Sequence, residues 1–259
     1  MQIELTCSMS DEKMFANVRA NVALCSNWTK GAPAHEGHAV IVGGGPSLVD
    51  HLHKIKRRIA LGQTVFALNG VCRFLNRNGI IPDYQVFLDG NVDLKDRMGE
   101  AKEYLVASQC DPSTLKAVPR PVLWHLMIPG ILEHIPYRED TLLIGGGTTV
   151  GLSTMCLAYG LGYRNLHLFG FDSSNRDGRD HAYEVPVSEE FVGGQVIGPV
   201  PVTYGDKKFT STLSMIQQAE IFPIVCNQLI DLGCVITVDA DGLIMAVMDD
   251  VRNNPAQAA

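Results

Sequence analysis

None of the seven cysteines (Cys7, Cys25, Cys72, Cys110, Cys156, Cys226, Cys234) is spaced as C-x-x-C. An odd, scattered set excludes both a zinc ribbon and a disulfide framework. Several of these thiols lie inside apolar runs, where free cysteine behaves as a small hydrophobe. Positive charge is not in excess either: the net charge of −7 offers no broad basic surface to nucleic acid or acidic lipid. The one basic cluster, Lys54, Lys56, Arg57 and Arg58, falls late in a predicted helix, where cations complement the helix C-terminus. No apolar run approaches the ~20 residues of a membrane span. The start, "MQIELTCSMSDEKMF", lacks the basic and apolar regions of a signal peptide. Together these absences predict a soluble protein of the reducing cytoplasm.

What is present is an ordinary globular composition, 46% apolar and 19% charged over 259 residues, enough for a large core. Residues 1–37 predict a short helical extension, with Ser10 as N-cap and Met14, Val18 and Val22 at helical spacing, closed by the linker Gly31-Ala32-Pro33. Residues 38–250 alternate strand-like and helix-like segments. "AVIVG", "TVFALN", "YQVFLDG", "LVASQ", "PVLWHL", "TLLIGGG", "NLHLFGFD" and "CVITVD" predict strands. The intervening segments, the charged "VDLKDRMGEAKEY" and a long stretch at about 208–232 included, predict helices. Near-continuous apolar strands alternating with helices define an α/β, Rossmann-like, mainly parallel sheet covered on both faces. Residues 191–205 suggest a hairpin placed to serve as a lid, and 251–259 a flexible tail.

Two segments echo one another: "VIVGGGPSLVDHL" and "LLIGGGTTVGLST" each run from apolar strand through three glycines and a hydroxyl residue into a helix. Such turns let backbone approach a phosphate and aim helix amides at it. The dinucleotide fingerprint G-x-G-x-x-G fails at both, since its last position holds Leu48 or Val150. Gly-Lys-Ser/Thr of the Walker motif and G-x-S-x-G of the hydrolases are absent too. Polar residues end other strands: Asn69, Asp89, Ser108 with Gln109, and Asp172. Open α/β sheets bind ligands at that edge, so the set points to a nucleotide cleft. Asp83, at the entrance of its strand, suits a turn. His181, in a polar loop past Asp172, is the candidate general base. His125 and His167 fall within strands, where satisfied core or sheet-face roles are expected. His51 and His53 are two apart on a helix and do not face together. His35 and His38 carry no assignment.

In order, "VIVGGGPSL", "FALNG", "GIIPDYQVFLDG", "GGGTTVGLSTMCLAYGLGYRNLHLFGFDSS" and "DHAYEV" resemble the MptE-like family. That family holds 6-hydroxymethylpterin diphosphokinases and the domain of motility accessory factors, and it is distantly similar to bacterial sialyltransferases. The resemblance implies that Gly43, Gly44, Gly45, Pro46 and Ser47 face the nucleotide phosphates and that Asn69 lies near the donor. It puts Gly146, Gly147 and Thr148 on a second ligand-facing turn, with Asp89 and Asp172 at the active cleft. His181 falls where sialyltransferase-like relatives carry a histidine that assists transfer. Where the pterin enzymes have an acidic residue and a histidine-rich stretch, this chain has Asn69 and "LWHLMIPG".

Three functions follow as expectations. The first is a transferase using a nucleotide-activated, CMP-linked sugar, with His181 as base or acid and no dedicated metal. The second is pyrophosphate transfer from ATP to a hydroxymethylpterin-like acceptor, with Asp89 and Asp172 binding Mg²⁺. The third is a non-catalytic nucleotide-binding module whose N-terminal helix docks a partner. A small-molecule donor and an acceptor are the expected partners, and a homo-oligomer is compatible with all three.

Overall fold

The computed structural model describes residues 9–90, 94–136, 139–147, 149–184, 190–192 and 195–253. Of residues 190–192, 195–197 and 251–253 only the backbone is described. In chain order the elements are α1 (Asp11–Leu24), β1 (His35–Val42), α2 (Leu48–Ala60), β2 (Thr64–Leu68), α3 (Val71–Arg77) and β3 (Tyr84–Phe87). A 3-10 turn at Lys95–Arg97 precedes β4 (Glu103–Ala107), α4 (Pro112–Ala117) and β5 (Pro121–Leu126). A second, at Ile131–Glu133, precedes β6 (Leu143–Ile144), α5 (Val150–Gly160) and β7 (Tyr163–Phe169). Then come β8 (Glu190–Val192), β9 (Gln195–Ile197), β10 (Val200–Tyr204), β11 (Lys207–Ser211), α6 (Leu213–Asp231), β12 (Val235–Asp239) and α7 (Gly242–Asn253).

Eight strands form one sheet in the order β12-β7-β1-β2-β3-β4-β5-β6, with every pairing parallel. The cause is visible in β1, where Ala39, Val40, Ile41 and Val42 are all fully buried in succession. Successive side chains point to opposite faces, so such a run is stable only where both faces are covered. Each Val or Ile so buried contributes about 1.5–3 kcal/mol. From β1 the chain steps outward through β2 to β6, then returns to lay β7 on the other edge of β1. That reversal is a topological switch point, and the carboxyl ends of β1 and β7 open onto it.

The N-terminal helix is tied to the sheet by two buried asparagines one helical turn apart. Asn21 donates to the carbonyls of Ser108 (2.9 Å) and Cys110 (2.7 Å). Asn17 donates to those of Gln109 (3.0 Å) and Gly90 (3.3 Å). Strand ends leave carbonyls that must be satisfied if buried, and α1 supplies the donors. Replacing Asn21 with alanine strands two buried acceptors, and the expected loss is about 2–3 kcal/mol. A lower urea midpoint at unchanged m would show it. A shift below about 0.5 kcal/mol, the scale of an ordinary surface substitution, would mean those carbonyls have other partners.

Several expectations need correction. Among the described residues, the helix expected over "VDLKDRMGEAKEY" is only the 3-10 turn Lys95–Arg97, and its last residues belong to β4. The chain turns there to reach α3: Asn76 Oδ1 accepts from Glu100 N (2.8 Å), and Asn76 Nδ2 donates to Glu100 O (2.9 Å). Gly99 packs so closely that a Cβ would lie 2.7 Å from Asn76 Oδ1. The start expected for the long helix is occupied by β11, and α6 begins at Leu213. The 191–205 region forms parts of two antiparallel hairpins, β8–β9 and β10–β11. Residues 242–253 form α7, with Leu243, Ile244 and Val247 buried, where no helix was expected. The remaining tail, 254–259, lies outside the described residues.

Candidate active site

At the switch point the first glycine turn is packed against the end of β7. Gly43 N donates to Phe169 O (2.8 Å) and Gly45 N to Gly170 O (2.9 Å). A Cβ on Gly43 would lie 2.6 Å from Gly170 O, and one on Gly45 would clash with Asp172 Oδ2. These two glycines therefore serve close backbone approach between strands, and their amides are spent. Gly44 differs. Its N–H has no acceptor among the described residues, its carbonyl accepts from Ala182 N (2.9 Å), and a Cβ would strike His181 (2.6 Å).

Asp172 is buried and occupies the N-terminus of α2. Its Oδ2 accepts from Ser47 N (2.7 Å), and its Oδ1 accepts from Ser47 Oγ (2.6 Å) and Asp241 N (3.0 Å). Burial raises its carboxyl above the usual range, against the lowering effect of the Ser47 bonds. The anion that the sequence leads one to expect at α2, a ligand phosphate, is thus matched by an internal carboxylate.

The cleft itself encloses about 170 Å³ between the ends of β1, β2 and β7, the start of α5, and the loop carrying His181. Pockets that bury a whole drug-sized ligand run to ~300–1,000 Å³, so this one is smaller than such a pocket. Val150 and Gly151 line it at the first turn of α5. Thr149 caps that helix, its Oγ1 accepting from Leu152 N (3.4 Å), while the amides of Val150 and Gly151 have no acceptor among the described residues. Asn69 lines it from the end of β2 in the left-handed region (φ 43°), with a buried Oδ1 that has no partner. Ser173, also left-handed (φ 51°) and buried, leaves its Oγ unpartnered at the opposite wall. Two unpartnered oxygens, Asn69 Oδ1 and Ser173 Oγ, thus belong to residues lining the cleft.

His181 stands over Gly44 with Nδ1 3.1 Å from Asp180 Oδ1, a contact short of a linear hydrogen bond. The histidine holds the Asp180 carboxyl below the usual carboxylate range, against the effect of burial. Tyr183 closes the wall, its ring stacked on Phe74 at 5.8 Å and its phenol pushed up by burial, with Arg97 opposing. Arg97 completes the lining.

Of the residues expected here, the structure brings together Gly43, Gly44, Gly45, Asn69, Asp172 and His181. Pro46 and Ser47 lie behind the turn in a second hollow with Arg176 and Asp241. Gly146 and Gly147 do not line the cleft; the helix they lead into does. Thr148 lies outside the described residues. Asp89 does not line the cleft either: it sits near Cys110, whose buried thiol its charge helps to raise. Asp89 and Asp172 therefore do not fit the Mg²⁺ pair expected of them, one lying off the cleft and the other holding Ser47 and Asp241. No group of three or more candidate metal ligands occurs among the described residues. Asp180, Tyr183, Ser173 and Arg97 carried no assignment from sequence. Asp180 and Tyr183 flank His181 in "DHAYEV", a proximity that pointed to them.

An all-parallel open sheet with a polar cleft at its switch point defines a Rossmann-like α/β protein. The chain belongs to the MptE-like family: that family's profile, described as 6-hydroxymethylpterin diphosphokinase MptE-like, matches residues 12–178. The resemblance drawn from the motifs thus holds. Among solved structures the fold is similar to the MAf glycosyltransferase from Magnetospirillum magneticum AMB-1, with a TM-score of 0.67 and 20% identity over 92% of this chain. The chain spans 38% of the length of that protein. No curated protein matches the sequence. No helix among the described residues is long and apolar enough to cross a membrane.

Proposed function

We propose that the protein transfers a glycosyl group from a nucleotide-activated sugar, of the CMP-linked sialic-acid type, to an acceptor hydroxyl. The observation that carries this reading is His181, backed by Asp180, standing over the free amide of Gly44 in the cleft that α5 enters by its N-terminus. The acceptor oxygen bonds to the anomeric carbon as the bond from that carbon to the donor phosphate oxygen breaks, its electron pair leaving with the phosphate. The acceptor proton passes to His181 Nε2, and Asp180 steadies the resulting imidazolium. The unbonded amides of Gly44, Val150 and Gly151 supply donors toward the phosphate. The likeness to a glycosyltransferase fold supports the same reading.

The family's description favours a second reading, pyrophosphate transfer from ATP. It requires a metal to bridge the phosphates, and the placement of Asp89 and Asp172 weighs against it. A thermal-shift panel of CMP, UDP, GDP, ATP and NAD⁺, with and without Mg²⁺, separates the two. A ligand at about 100-fold excess over its Kd stabilises by about 2.7 kcal/mol. Stabilisation by CMP or UDP without metal is the expected result. Strict dependence on ATP with Mg²⁺ would favour the kinase, and NAD⁺ alone would indicate a redox protein. Silence throughout would remove both transferase readings.

A further inference from the structure

We infer that Arg97 is the phosphate-binding cation of the cleft and that the buried amide of Gln85 is the positioning group that fixes it there. The inference rests on the proposed nucleotide binding. Arg97 ends the 3-10 turn that replaces the expected helix, and its Cβ lies 3.7 Å from where a side chain on Gly70 would begin. It is half-buried, and its guanidinium has neither ion pair nor hydrogen bond among the described residues. Arg73, Arg164 and Arg176, by contrast, are engaged: Arg73 on Asp96 O, Arg164 on Tyr159 O and Tyr163 O, Arg176 on Asp50. A partly desolvated cation without a partner is costly unless a ligand supplies one, and the planar guanidinium fork matches phosphate oxygens.

Gln85 shows that the position is built. It lies on β3 at 0% exposure, a place where an apolar residue such as Val86 costs nothing to bury. Its Nε2 donates to Asn69 O (2.7 Å) and Arg97 O (3.0 Å), and its Oε1 accepts from Gly99 N (3.0 Å). One buried amide thus clamps the turn presenting Asn69 to the turn presenting Arg97. Both residues line the cleft, Asn69 with an unpartnered buried Oδ1. The clamp fixes where the Arg97 backbone sits and leaves its guanidinium available to a ligand. The same anion chemistry could come from the carboxylate of an acidic sugar. Phosphate is favoured because amides of Gly44 and α5 line the same cleft.

Calorimetric titration of CMP and of cytidine, which lacks the phosphate, into wild type, Arg97→Ala and Arg97→Lys tests this. Expected is a loss of about 10- to 100-fold in CMP affinity for Arg97→Ala, with cytidine affinity unchanged and partial recovery in Arg97→Lys. Gln85→Met should reproduce the phosphate-specific loss, whereas a purely structural role would weaken both ligands alike. Undiminished CMP binding by Arg97→Ala would overturn the inference, leaving a sugar carboxylate as its anion. Equal losses for CMP and cytidine would also overturn it. If wild type binds neither CMP nor any nucleotide of the thermal panel, the proposed function itself fails.

Discussion

Replacing His181 with alanine is expected to lower turnover by about 10²- to 10⁴-fold while leaving nucleotide affinity intact. The imidazole reaches the cleft from a loop, and its removal takes nothing from the unbonded amides of Gly44 and α5. Asp180→Asn should cost less in turnover, since it removes the charge that steadies the imidazolium and keeps a group of the same shape at Nδ1. Single-turnover kinetics beside equilibrium titration separates the two quantities. Turnover by His181→Ala equal to wild type would take the residue out of the mechanism.

A second large effect is expected on stability in acid. Burial holds His125 down at about 4, and burial with the nearby charges of Arg58 and His38 holds His167 at about 4, against 6.5 when unfolded. Both groups are neutral in the fold. His167 lies 2.6 Å from Thr237 Oγ1 through Nδ1 and 2.8 Å from His38 Nδ1 through Nε2. His125 has no partner at either ring nitrogen and meets Trp28 edge-on at 5.7 Å. As the pH falls from 6.5 toward 4, the unfolded chain takes up protons that the folded chain does not. Stability should be full above about 6.5 and should fall by roughly 3 kcal/mol per histidine by pH 4. Urea midpoints at pH 7, 5.5 and 4.5 measure this. His125→Leu should flatten about half of the slope, and an unchanged slope would show that water or charge reaches that ring.

Much of the sheet was legible because burial on both faces writes itself as unbroken apolar runs, as in "AVIV" and "VFAL". The cleft was legible in part for the same reason: strand ends carry the polar residues, and Asn69, Asp172 and His181 do converge. What the sequence concealed was the state of those groups. Gly43 and Gly45 answer to the backbone of Gly170 and the side chain of Asp172, a contact between segments far apart in the chain that no local pattern encodes. His125 is in the core as expected, yet both its ring nitrogens lack a hydrogen-bond partner. Arg97 was hidden behind a charged, helix-like stretch, where tertiary bonds from Asn76 overrode local propensity. By contrast, α7 could have been read from Leu243, Ile244 and Val247 at helical spacing.

The pairing of β1 with β7 also bears on how the molecule forms. Ser47 and Asp172 meet across 125 residues of sequence, and everything needed to build β2 through β6 lies between them. Contacts of such separation form slowly, since a long loop must close before they repay its entropy. Until β7 is made, the edge of β1 stands open with Val40 and Ile41 exposed, a template for pairing with another chain. The cleft, assembled from both strands, is therefore among the last features to appear. A chain arrested before β7 should associate through that edge rather than bind any ligand.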